Sequence, residues 1–264
     1  MVWIQNYTKF RSPCFKHKHK YFEKSALQTL NEKSMMIRDF INLLMPVLCP
    51  VCGAVLLKNE RIICTGCMYE LPRTRYFSYS ENPVARLFWG RIYVENATAL
   101  FHYQKGSRFQ RLIHELKYKD RQDIGREMGR LLGIELEGSP FSSADIILPV
   151  PLHKKKYRQR GYNQCHPIAE GISESLGIPW CSGHLIRLSV SLTQTDRSRI
   201  DRWSNVDGIF KVKDPGKLCG KHIILVDDVV TTGATLDACA TAILSLENVR
   251  VSIVTLAVAL KVFN

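Results

Sequence analysis

The chain has 264 residues, 45% apolar and 23% charged, which excludes a wholly disordered polypeptide and fits one large domain or two unequal ones. Lys and Arg number 37 against 24 Asp and Glu, and the net charge of +13 favours polyanionic partners such as nucleic acid or phosphate-rich substrates. No 18-residue run is wholly apolar, so no membrane insertion is expected.

The basic excess is uneven. Residues 1–40 hold eight basic and three acidic groups, 151–220 hold twelve and six, and 81–150 are near balance with ten and nine. A charge run is also the ordinary make-up of a solvated face. Residues 1–34 read as a basic arm, disordered or preceding a later start at Met35, Met36 or Met45. The first 30 residues carry Lys9, Arg11, Lys16, Lys18, Lys20 and Lys24 but no apolar stretch of the secretory kind. A cytoplasmic, reducing location is therefore expected, where nine cysteines do not form a disulfide framework.

Residues 35–75 are expected to form a helix plus a metal module. Ile37, Phe40, Ile41 and Leu44 fall at helical spacing between Met35 and Leu48. Cys49-Pro-Val-Cys52 and Cys64-Thr-Gly-Cys67 follow, two CxxC pairs with eleven residues between them. Each pair can turn two thiolates toward one ion, and Gly53 and Gly66 relieve the bends. Four thiolates close a tetrahedral shell, so Cys49, Cys52, Cys64 and Cys67 are the expected ligands of a structural Zn²⁺. The alternative is a chance or redox pairing. Cys14, Cys165, Cys181, Cys219 and Cys239 have no paired spacing and read as ordinary small residues.

A connector with Pro72 and Pro83 leads to a larger domain, 90–264. Strand character runs over Ala97–Tyr103, Ile146–Pro151, Lys221–Asp228 and Val251–Leu260. Helical spacing runs over Arg108–Tyr118, Ile124–Leu136, His166–Leu176 and Thr235–Leu246. The run Ile146–Val150 is apolar throughout, as in a strand covered on both faces. The alternation predicts an α/β fold with a mostly parallel sheet.

The most informative segment runs from Ile223 to Thr235. A buried strand leads through Asp227 and Asp228 into Thr231, Thr232, Gly233, Ala234 and Thr235, where a helix begins. Adjacent carboxylates can accept hydrogen bonds from vicinal sugar hydroxyls. A hydroxyl-rich loop at a helix N-terminus favours a phosphate. Together they describe a ribose 5-phosphate at the carboxyl end of a strand. A second basic segment, Lys154, Lys155, Lys156, Arg158 and Arg160, reads as a loop. With Tyr157 and Tyr162 interleaved it offers phosphate neutralisation and stacking faces to single-stranded DNA, or serves an anionic ligand alone.

Residues 223–235 resemble the PRPP-binding signature of type I phosphoribosyltransferases. The resemblance implies that fold, with Asp227 and Asp228 on the ribose hydroxyls, Thr231–Thr235 around the 5-phosphate, and Mg²⁺ accompanying PRPP. It also implies a pyrophosphate loop at Leu152, His153 and Lys154, which in that class often carries a strained non-proline cis peptide. A four-cysteine knuckle ahead of such a domain resembles the ComF family. Phe101-His102-Tyr103, Leu116-Lys117-Tyr118, Leu148–His153, Arg158, Arg160–Gln164, Gln194, Arg202, Asn205-Val206 and Phe210 look like that family's stretches. What the resemblance implies is a role with imported single-stranded DNA in bacterial natural transformation. Purine-specific relatives carry an Asp where Thr231 stands, and Thr231 offers no general base. No nucleobase pocket is legible, and Thr193–Trp203 reads as a mobile lid. Three readings follow: a competence protein binding PRPP or a related ribose phosphate and single-stranded DNA, an active phosphoribosyltransferase in nucleobase salvage, and an adaptor for a DNA-translocation helicase with a vestigial ligand site.

Overall fold

A computed structural model of the chain describes residues 45–188 and 209–259. The arm 1–34, the helix expected from Met35, Cys14, and Gln194, Arg202, Asn205, Val206 and the stretch Thr193–Trp203 lie wholly or mainly outside the described residues. Contacts divide the chain between Val47 and Leu48, and the elements below all belong to the unit that starts at Leu48.

The first elements after the cysteine turns are α1 (Thr65–Tyr69) and α2 (Pro83–Arg86). Asn82 caps α2, accepting from the N–H groups of Val84 and Ala85. Its amide also donates to the carbonyls of Tyr76, Tyr79 and Ala97, so this buried Asn ties the connector to the first sheet strand. That strand is β1 (Ala97–His102), followed by α3 (Gln110–Tyr118), α4 (Gln122–Leu136) and β2 (Ile146–Pro149). Next come α5 (Lys154–Arg160), α6 (Cys165–Leu176) and a two-stranded antiparallel ribbon, β3 (Leu185–Arg187) with β4 (Phe210–Val212). The chain then forms β5 (His222–Val230), α7 (Ala234–Leu244) and β6 (Arg250–Val258).

The main sheet is four-stranded and parallel, in the order β1-β6-β5-β2. Both faces are covered. Ile224, Val226, Val254 and Leu256 join a core layer with Leu112, Leu116, Met128, Leu132 and Ile168. Ile223, Leu225, Val251 and Ile253 join the opposite layer with Phe88, Leu236, Ala240 and Ile243. This two-sided burial is why the strands read as near-continuous apolar runs. Cys49, Val51, Ile62, Ile63 and Cys67 belong to the first layer, so the cysteine stretch packs into the same core as the sheet.

Two differences from the sequence reading bear on the site. Lys154–Arg160 is a helix and not a loop. Its apolar content is too low for a hydrophobic period. His153 caps it through Nδ1 to the Lys155 N–H at 3.1 Å, and Gly161 ends it at a φ of 81°. Tyr162 is buried, and its hydroxyl donates to the Leu116 carbonyl, so it is not a stacking face. All described peptide bonds are trans, including those after β2.

Helices α4 and α6 pack at very short range through small residues. A Cβ added at Gly171 would overlap the Arg126 carbonyl and the Arg130 N–H, and one at Gly129 would overlap the Ile168 carbonyl. Backbone leaves no flexible neighbour to yield. Gly171→Ala should therefore lower stability by about 1–3 kcal/mol, read as a lower urea midpoint. Gly216→Ala, at an open position with ordinary φ, should leave the midpoint unchanged.

Candidate functional site

The four expected metal ligands converge. The sulfurs of Cys49, Cys52, Cys64 and Cys67 lie within 4.8 Å of one another, and those of Cys52 and Cys64 are 3.6 Å apart. Sulfurs on a tetrahedral shell of about 2.3 Å radius are roughly 3.8 Å apart, so the cluster fits a metal of that kind. Gly53, at a φ of 79°, closes the first turn by donating to the Cys49 carbonyl at 2.8 Å. Cys64 caps α1 and accepts from the Cys67 N–H. Burial opposes ionisation of Cys49, but N–H donors from Cys64, Cys52 and Val51 outweigh it and bring the thiol down to about 7. Cys67 is pushed up, by burial first and then by the neighbouring sulfurs. Glu60, which the sequence reading passed over, holds the two pairs in register. It accepts from the Leu57 N–H at 2.9 Å, the Thr65 N–H at 2.6 Å and the Thr65 hydroxyl at 2.7 Å, which hold its carboxyl below the usual range.

The carboxylate pair sits where β5 leaves the core. Asp228 is 8% exposed, and its Oδ2 receives Lys117 Nζ at 3.1 Å and Gln164 Nε2 at 3.4 Å. Asp227 Oδ1 accepts from the Asp228 N–H at 2.9 Å and from Cys165 Sγ at 3.4 Å. Cys165 is therefore not an ordinary core residue. Burial, then the two Asp charges, push its thiol well up, which keeps it a donor. Burial and the Asp228 charge raise Asp227 to about 7, against the pull of the Asp228 N–H, Cys165 and Lys117.

The stretch Arg160–Gln164 organises this corner residue by residue. Gly161 ends α5. Tyr162 holds the α3 backbone beside Lys117 through the Leu116 carbonyl. Asn163 donates to the Val150 carbonyl at 2.9 Å and accepts from the Cys165 N–H at 3.1 Å. Gln164 reaches Asp228. Lys117, Gln164 and Cys165 were not legible as site residues, because only the fold brings positions so far apart in the chain together.

Three adjoining cavities surround the pair. One of about 220 Å³ is lined by Asp227, Asp228 and Thr235 together with Lys117, Lys156, Arg160 and Arg187. A smaller one of about 60 Å³ is lined by Asp227 and the loop Thr231, Thr232, Gly233, Ala234 and Thr235. That loop is braced from the connector: Phe88 lies against Gly233, and Arg91 donates to the Thr232 carbonyl at 3.3 Å and to Asp237 at 3.1 Å. The third, a largely apolar cleft of about 600 Å³, is lined by Pro149, Leu152, Lys154, Tyr157, Arg158 and Leu185, among others. Such a cleft was not expected from the sequence.

The expected pyrophosphate loop is thus split. Leu152 lines the carboxylate cavity and the cleft, Lys154 lines the cleft, and His153 caps α5. The expected DNA-contact residues divide as well. Lys156 and Arg160 line the carboxylate cavity, Arg158 lines the cleft, and Lys155 is exposed.

The raised Asp227 has a measurable sign. The folded chain keeps a proton there that the unfolded chain releases near 3.8, so this group's contribution to stability falls as pH rises toward about 7. Asp227→Asn removes that loss. The melting temperature of the variant should gain on wild type as pH goes from 5 to 8, and a constant difference would refute the burial account.

Residues 154–262 match the phosphoribosyl transferase domain family. The chain is 33% identical over 129 residues to the DNA utilization protein YhgH of Escherichia coli K12, covering 47% of this chain and 56% of that protein. It is 30% identical over 131 residues to competence protein F of Haemophilus influenzae, covering 48% and 57%. It is 35% identical over 99 residues to competence protein ComFC of Bacillus subtilis, covering 38% of each. The chain thus spans between 38% and 57% of the length of these curated relatives. This chain therefore matches a phosphoribosyl transferase domain, is similar in sequence to two competence proteins, and sets a four-cysteine cluster into the core layer of the same fold.

Proposed function

We propose that this protein binds PRPP or a related ribose phosphate and contacts single-stranded DNA during bacterial natural transformation, working on the cytoplasmic side. The observation that carries the reading is the cavity that Asp227 and Asp228 line together with Lys117, Lys156, Arg160 and Arg187. Two acceptors for vicinal hydroxyls beside four cations suit a sugar bearing phosphates. The loop Thr231–Thr235 takes the 5-phosphate at the start of α7, which has no side-chain cap of its own. Mg²⁺ enters with the pyrophosphate of PRPP, and Leu152 and Lys154 edge the entrance. A structural Zn²⁺ on Cys49, Cys52, Cys64 and Cys67 supplies closed coordination and no chemistry. Handing a strand onward calls for a motor, so a DNA-translocation helicase is the expected protein partner.

The carboxylates are tested first. The double variant Asp227→Asn with Asp228→Asn should lose PRPP binding in calorimetry while keeping its fold, since the pair faces the cavity. Unchanged affinity would refute the ribose contacts. The metal is tested separately: one Zn²⁺ per chain should co-purify. Cys67→Ser should lower the melting temperature, because Cys67 is buried in the shared core layer. Folded protein without metal would refute the zinc site.

The DNA contact is tested by dividing α5. Each phosphate contact on a single strand contributes roughly −0.7 to the slope of log K against log salt. Replacing Lys155 and Arg158 by Ala should reduce the slope by about 1.4 and spare PRPP binding. Replacing Lys156 and Arg160 by Ala should weaken PRPP binding. A wild-type slope in the first variant would place the DNA contact elsewhere, with the basic arm before Met35 the next candidate.

The apolar cleft favours a second reading, an active phosphoribosyltransferase in nucleobase salvage or nucleotide metabolism. Leu152 and Arg187 line both the cleft and the carboxylate cavity, so an acceptor there would lie beside the ribose. Pyrophosphate release from PRPP across a panel of bases distinguishes this reading from simple binding.

A further inference from the structure

Arg91 lies in the connector, well before the residues 154–262 that match the domain family, yet it reaches the loop that leads into α7. Its guanidinium donates to the Thr232 carbonyl at 3.3 Å and pairs with Asp237 Oδ2 at 3.1 Å. It sits over the Phe88 ring, 5.9 Å from the ring centroid. Phe88 is fully buried, and Asn82 ties the same segment to the Ala97 carbonyl in β1, so Arg91 reaches out from a fixed base. An exposed ion pair alone contributes little. The bond to the carbonyl gives this one a direction.

The peptide between Thr232 and Gly233 is trans and planar, so its carbonyl and its N–H point opposite ways. Turning that peptide over changes the sign of φ at Gly233, now 76°, and glycine accepts either sign at little steric cost. The loop's own residues therefore do not fix which way the N–H faces. Arg91 does. The small cavity at the loop is lined by Thr232 and Gly233 but not by Arg91, so the guanidinium takes the carbonyl from outside. The Gly233 N–H, turned the other way, has no hydrogen-bond partner among the described residues. We infer that Arg91 is a positioning residue for a phosphate monoester: it holds the Thr232–Gly233 peptide with its carbonyl outward and so presents the Gly233 N–H to the phosphate. Asp237 offsets the cation's charge, so Arg91 acts by orientation and not by attraction. The inference rests on the reading of this loop as the place of the 5-phosphate. It adds a residue from the connector to that place.

The test is calorimetry on the full chain with two probes. Ribose 5-phosphate carries the monoester, while inorganic pyrophosphate is suited to the cations of the carboxylate cavity. In Arg91→Met, ribose 5-phosphate should bind about tenfold more weakly than to the native chain, the loss expected when one donor to a charged group is misplaced. Pyrophosphate should bind within about twofold of native, because its contacts lie elsewhere. The tenfold ratio should persist at about 0.5 M salt, where the Debye length is about 4 Å and attraction at a distance is screened. Unchanged ribose 5-phosphate affinity in Arg91→Met overturns the inference. So does an equal loss for both probes, which marks general damage, or a ratio that falls to about one in salt, which marks plain attraction. Arg91→Lys is the second variant and serves if Arg91→Met folds poorly. It keeps the charge but not the two-pronged fork, so ribose 5-phosphate should bind at least about threefold more weakly, and native affinity there also overturns the inference. A native chain that binds ribose 5-phosphate no better than its Arg91 variants loses this inference and keeps the ribose-phosphate reading. A native chain that binds neither PRPP nor ribose 5-phosphate loses both.

Discussion

Two carboxylates on consecutive residues repel each other, and partial burial makes that repulsion harder to screen. In this fold β5 carries Asp227 and Asp228 out of an apolar core, so water supplies little of their solvation. The surrounding elements supply the rest. Lys117 comes from the end of α3, Gln164 and Cys165 from the start of α6, and the Asp228 N–H from the strand itself. Lys117, Gln164 and Cys165 are all far from the pair in sequence. The site exists only when α3, α6 and β5 have all assembled, which makes the carboxylate pair a check on the whole fold.

That assembly depends in turn on how closely α4 and α6 approach. Gly129 and Gly171 allow backbone to meet backbone, which seats α6 deep against the sheet and brings Gln164 and Cys165 to the strand end. The cysteine cluster acts on the same layer. Cys49 and Cys67 are buried with Leu112, Leu116 and Met128. A metal held there would close the edge of the layer that carries α3, and through α3 would steady Lys117. The cluster and the carboxylate site are thus linked by packing, although no side chain joins them directly.

Much of the architecture was legible because burial leaves a periodic mark. The parallel strands read as apolar runs, and α3, α4 and α6 read at helical spacing, each within a residue or two of the structure. β5 extends past Asp228 to Val230 because its pairing continues through Val229 opposite Ala257 and Val230 opposite Val258. Helix α5 left no such mark: Lys154–Arg160 buries no residue, so its helicity comes from its caps and from good helix formers. Tyr162 shows the converse error. Its place in a basic stretch suggested an exposed ring, while the turn at Gly161 directs it inward. Among the site residues, Asp227, Asp228 and the loop Thr231–Thr235 were legible because they are contiguous. Lys117, Gln164, Cys165 and Glu60 were not, because their roles arise from contacts between distant segments.

The helical state of α5 changes what its charge can do. On a loop, five cations would form one surface for one polyanion. On a helix, positions four apart share a face. Lys156 and Arg160 then line the carboxylate cavity, while Lys154 and Arg158 line the apolar cleft with Tyr157 beside them. A single short helix so presents cations to two neighbouring spaces. Anions bound in the two would lie close together with only this helix between them, and each would draw on the potential that attracts the other. The reciprocity of linked binding then requires any effect of a ribose phosphate on a strand in the cleft to be matched by an equal effect of the strand on the ribose phosphate. The sign follows from charge alone: two anions sharing one cationic helix oppose each other, so on the proposed reading a strand engaged at the cleft would weaken the hold on a sugar phosphate beside it.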